Sequence, residues 1–138
     1  LSSTEILKLI QRSKAWFLEH NLPSPDLYVP PAWALGPIRK KELKEAPYQQ
    51  IETTLGVIQL NSDAQTRFVA LPLTGYEADT NFRAFFLSYW NRFQEFKARK
   101  SKLPLRISIH PDDLELKIAE QLKTQIKASE QFLKYSDC

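Results

Sequence analysis

The sequence predicts an α/β protein, specifically a partial or distorted (β/α) barrel with mainly parallel strands and covering helices. Two observations lead there. Short apolar runs alternate along the chain with helical patterns of crossover length, the arrangement that parallel strands require. No 20- to 50-residue repeat and no Gly-rich or Ser-rich linker interrupts that order, so residues 1–138 read as a single domain. With 138 residues, 43% of them hydrophobic, the chain can bury one core.

Ser2 and Glu5 have the spacing of a capping box and start a first helix. Ile6, Ile10, Ala15 and Phe17 recur at helical intervals, and the helix stops near Asn21 because Pro23 and Pro25 cannot donate into a continuing turn. Leu27-Tyr28-Val29 is long enough for a short strand, which Pro30 and Pro31 end. Residues 38–46 then read as a polar helix closed by Pro47.

From Tyr48 to Leu73 the pattern becomes β, with two or three strands around a polar turn at Asn61-Ser62-Asp63. Asp79 or Thr80 caps the next helix. In it Phe82, Phe85, Phe86, Tyr89, Trp90, Phe93 and Phe96 form an aromatic stripe that the spacing assigns to the core. Leu105 to Ile109 alternates as a strand, His110-Pro111-Asp112-Asp113 ends it, and a last helix is expected from about Leu114 to Tyr135.

Nineteen Lys and Arg against sixteen Asp and Glu leave a formal charge of +3 spread along the chain. The aromatics do not interleave with the basic run Lys97–Lys102, so no nucleic-acid partner is expected. No apolar run is long enough for a membrane span and no signal-peptide pattern opens the chain, so a soluble protein without a membrane partner is expected. The one cysteine, Cys138, excludes an internal disulfide framework and a cysteine metal site. A start at Leu1, without a methionine and directly in a helix pattern, suggests a processed product or part of a longer polypeptide.

Catalytic groups in parallel α/β structures gather at the C-terminal ends of strands. His110 stands at such an end, and imidazole exchanges protons near neutral pH, which makes it the first catalytic candidate. Asp112 or Asp113 could orient it, although aspartates before a helix commonly act as caps. At the other strand end, Pro31 fixes a loop on which the Trp33 indole can form a flat wall against a sugar ring. His20 at a helix end reads as a solvated terminal residue.

Tyr28-Val29-Pro30-Pro31-Ala32-Trp33, followed by Leu105-Arg106-Ile107-Ser108-Ile109-His110-Pro111-Asp112, resembles the C-terminal half of polysaccharide deacetylases with the NodB homology domain, in particular a deacetylase-like branch with a Pro-Pro-Ala-Trp loop. The resemblance in element order covers nearly the whole chain. It implies a hydrolase that removes acetyl groups from carbohydrate, with His110 as general acid and Asp112 as cap or orienting group. Pro31 and Trp33 would border the groove, and Leu105 and Ile107 would receive the acetyl methyl. It also implies a divalent metal, zinc foremost, that polarises the acyl carbonyl and activates water.

The family's aspartate pair and His-x-x-x-His metal pair belong to its N-terminal half, and nothing in this chain corresponds to them. Val29 replaces the arginine usual before the Pro-Pro loop. The metal ligands are therefore expected outside this chain, in an N-terminal half or a second copy, and the chain alone is expected to be inactive. The alternative is a non-catalytic α/β module that binds glycans or a protein.

Overall fold

The computed structural model describes residues 1–60 and 66–133. They form a mixed α/β protein of helices and two sheets, divided into two compact units, Leu1–Ala70 and Leu71–Cys138.

In the first unit, helix α1 (Ser3–Glu19) begins at the expected capping box. Glu5 N–H donates to Ser2 Oγ at 3.3 Å, and Ser2 N–H donates to Glu5 Oε2 at 2.6 Å. The helix ends at His20, and the following Asn21 takes a left-handed φ of 53° before the prolines. Ile6 and Ile10 pack on Tyr48, with Tyr28, Leu35 and Ile38 around them. Helix α2 (Lys40–Leu43) is a single turn, shorter than the expected 38–46, because past Lys44 the backbone closes only three-residue turns.

Strands β1 (Leu27–Tyr28), β2 (Gln50–Thr53), β3 (Gly56–Leu60) and β4 (Thr66–Ala70) form one sheet in that order. Only β1 and β2 run parallel; β2/β3 and β3/β4 are antiparallel. The expected mainly parallel order therefore does not hold in this unit. Thr53 pairs with Gly56 across a two-residue loop, far too short for a crossover connection. Gly56 also lets β3 and β4 approach closely, since a Cβ there would stand 2.1 Å from Val69 O. The turn expected at Asn61-Ser62-Asp63 lies outside the described residues.

The second unit pairs two short parallel strands, β5 (Leu73–Thr74) and β6 (Arg106–Ile107). Between them runs α3 (Asn81–Ser101), whose Thr80 side chain accepts the Arg83 N–H as cap. A 3-10 turn (Asp113–Glu115) precedes α4 (Ala119–Lys127). The last helix thus starts after the expected Leu114 and ends at Lys127, while the expected end at Tyr135 lies outside the described residues; its leading segment is taken up by turns that bring Asp113 back onto His110. Tyr76, Ala78, Ile118 and Leu122 form the core, with Ala84, Leu87, Ile107 and Ile126 against it. Among the described residues the strands close no barrel.

The aromatic stripe of α3 is not in the core. Phe82, Phe85, Phe86, Tyr89, Phe93 and Phe96 are between 57% and 78% exposed, while Asn91, Gln94 and Ala98 are buried. Hydrogen bonding explains the reversal. Asn91 Oδ1 accepts the Gly75 N–H at 3.0 Å, its Nδ2 donates to Gly75 O at 2.8 Å, and Trp90 Nε1 donates to Leu73 O at 2.9 Å. These backbone groups follow or belong to a strand paired on one side only, and a polar helix face satisfies them where phenylalanines could not.

Candidate functional site

The parallel register of β5 and β6 sends both strand ends the same way, so Gly75 and Tyr76 lie beyond one and Ser108 to His110 beyond the other. Ser108 N–H donates to Thr74 O at 2.9 Å and carries the pairing one residue past β6. The chain then turns sharply. Asp113 Oδ2 accepts the His110 N–H at 2.8 Å, and Asp113 N–H returns to His110 O at 3.1 Å. The same Oδ2 lies 3.6 Å from His110 Nδ1.

This geometry combines a hidden carboxylate with an accessible ring: the Asp113 side chain is fully buried, whereas that of His110 is 43% exposed. Asp113 Oδ1 has no hydrogen-bond partner among the described residues, so its burial is offset mainly through Oδ2 and the ring beside it. At 3.6 Å the approach of Oδ2 to Nδ1 is an electrostatic contact rather than a hydrogen bond; the hydrogen-bonded anchor of the turn is the His110 backbone N–H. Of the two aspartates the sequence offers, Asp113 is the one that meets His110. Asp112 is exposed at the start of the 3-10 turn, and its side chain makes no cap hydrogen bond.

Leu105 and Ile107 line a cavity of about 450 Å³ with Leu71, Pro104, Ile109 and Ile126. Its floor is held by Arg106, which is buried and donates from Nε and Nη2 to Leu71 O at 3.2 and 2.8 Å. Leu105, Ile107 and Ile109 line the cavity together with Arg106, and His110 is not among the lining residues. The acyl-pocket candidates therefore share a cavity with one another, while the histidine stands beyond its edge.

Pro31 and Trp33 belong to the first unit, where they form a 3-10 turn at the end of β1. Ala32 and Trp33 have left-handed φ values of 50° and 54°, a strained pair of the kind that clusters at functional sites. Trp33 N–H donates to Pro30 O at 2.9 Å. Pro31 lines a cavity of about 360 Å³ with Ile6, Leu9, Ile10, Tyr28 and Leu35; the half-buried Trp33 is not part of that lining. His20 is exposed at the end of α1, stacked on Trp16 with its Nδ1 at 2.8 Å from Trp16 O.

A polar network under α3 gave no sequence signal. Thr74 Oγ1 donates to Gln125 Oε1 at 3.0 Å, the Tyr76 hydroxyl donates to the same oxygen, and Gln125 Nε2 donates to Glu95 Oε1 at 2.8 Å. Burial pushes the Tyr76 phenol up to about 12. Below pH 10 the folded and unfolded chains both keep this proton. Between 10 and about 12 the unfolded chain sheds it and the folded one does not, so stability falls as pH rises through that window. Tyr76→Phe is expected to flatten this alkaline loss by at most about 3 kcal/mol, checked by urea unfolding across the window.

Among the described residues no group of three His, Cys, Asp or Glu is placed to hold a metal ion, so these residues do not fit the zinc that the resemblance implies. No described helix is long and apolar enough to cross a membrane. Comparison of the chain with protein-family models, with curated proteins and with solved structures finds no match.

Proposed function

We propose that this chain supplies the proton-transfer part of a hydrolase that removes acetyl groups from carbohydrate, as part of a deacetylase-like (β/α) barrel. The observation that carries the reading is the exposed His110 ring backed by the buried Asp113 carboxylate at the end of a parallel strand. In the reaction water adds to the acyl carbon, the C–N or C–O bond breaks, and His110 gives its proton to the departing sugar nitrogen or oxygen. Amide or ester plus water thus becomes amine or alcohol plus acetate.

Asp113 is a positioning residue: it accepts the His110 backbone N–H, and its carboxylate stands 3.6 Å from Nδ1. Leu105 and Ile107 offer an apolar wall to the acetyl methyl. In the other unit, the turn of Pro31 and Trp33 carries an indole of the kind that packs on a sugar ring. Activation of water belongs to groups outside the described residues, where a zinc-binding N-terminal half or second copy would contribute.

The test is acetate release from an acetylated chitooligosaccharide by the full-length gene product supplied with zinc. Release above the rate without protein supports the reading. Oligosaccharide binding in calorimetry without acetate release would overturn it in favour of a glycan-binding module.

A further inference from the structure

Helix α3 wears its aromatic side chains outward. Six of them, Phe82, Phe85, Phe86, Tyr89, Phe93 and Phe96, recur every three or four residues, which at about 1.5 Å per residue makes a ridge roughly 21 Å long and about 100° wide. The ridge cannot turn inward without cost, because Asn91 and Trp90 tie the opposite face to the backbone of residues 73 and 75.

The C-terminal half of the ridge is bordered by positive charge. Arg92 and Arg99 flank one side, Lys97 the other, and Lys100 its C-terminal end; all four are exposed. Glu95, the one acidic residue of α3, faces inward and accepts from Gln125 Nε2. At the N-terminal end Arg83 pairs with Glu77 and Asp79, at 3.5 and 3.1 Å, which leaves one net negative charge there.

We propose that this ridge is a membrane-contact surface, seating the second unit on an anionic lipid bilayer. Phenylalanines and a tyrosine fit the boundary between headgroups and acyl chains, and the flanking Arg and Lys reach anionic phosphates at the same depth. Charge decides between occupants. A second copy would set the Arg92, Lys97, Arg99 and Lys100 charges against each other or, antiparallel, against a single net negative charge, whereas an anionic bilayer offers a negative headgroup to each of the four. The proposal departs from the absence of a membrane partner expected from the sequence, and it is independent of the hydrolase reading.

The chain is sedimented with vesicles of phosphatidylcholine alone and of phosphatidylcholine mixed with phosphatidylglycerol. Wild type is expected to pellet with the mixed vesicles, less with the neutral ones, and to be released by salt. Phe85→Ser with Phe86→Ser and Phe93→Ser should weaken partitioning about 10-fold or more, and Lys97→Glu with Lys100→Glu should abolish the preference for anionic lipid. All five positions are exposed, and circular dichroism checks that the variants keep the fold. Wild type that pellets with neither vesicle, or equally with both, overturns the proposal without any variant. So does a concentration-dependent dimer that the serine variant abolishes while vesicle binding is absent, which would assign the ridge to a second copy.

Discussion

His110→Ala lowers acetate release from an acetylated chitooligosaccharide by about 10²-fold or more in the full-length protein, while circular dichroism and the urea midpoint stay near wild type. Such a loss equals roughly 2.7 kcal/mol of transition-state stabilisation, within reach of one well-placed acid. The fold is expected to tolerate the change because the side chain is 43% exposed and the anchoring bond, from the His110 backbone N–H to Asp113, survives it. Asp113→Asn should lower kcat about 10-fold with KM nearly unchanged, since it loosens the ring and leaves the binding surfaces alone. Asp112→Asn should change neither constant, because the Asp112 side chain makes no cap bond and Asp113 is the residue that meets the ring.

Asn91→Ala is the most damaging single change expected for stability, at about 2–3 kcal/mol, read from the urea midpoint. The side chain is 2% exposed and satisfies both the N–H and the C=O of Gly75, so its loss leaves two backbone groups without partners and opens a small void. Phe85→Ala should cost less than about 0.5 kcal/mol because the ring is 65% exposed. A helix on which an asparagine outweighs a phenylalanine inverts the usual ranking. Equal effects of the two substitutions would contradict the assignment of the inward face.

Local chemistry was the legible part of the sequence. Ser2 with Glu5, the proline pair after Asn21 and the Thr80 cap each act within a few residues, and each lies where its chemistry predicts. The face of α3 was not legible in the same way. Periodicity shows that the aromatics share a side, but which side meets the body depends on unpaired backbone groups at residues 73 and 75, far away in sequence. Strand direction failed for a related reason. Alternating apolar runs do not distinguish a parallel crossover from a hairpin, and the two-residue loop between Thr53 and Gly56 decides for the hairpin.

In the candidate site, the histidine and its strand end could be read directly, and so could the choice of two following aspartates. Selecting between them required the turn that brings residue 113 back to residue 110. The strained Ala32–Trp33 pair and the Thr74–Tyr76–Gln125–Glu95 network depend on contacts that no spacing rule encodes.

Leaving-group dependence tests the role of His110 most directly. Acetate release by wild type and His110→Ala is compared on an acetylated chitooligosaccharide, whose departing atom needs a proton, and on 4-nitrophenyl acetate, whose phenolate departs without one. The account predicts a loss of about 10²-fold on the sugar and less than about 3-fold on the aryl ester. An equal loss on both substrates, or none on either, would contradict proton donation by this ring.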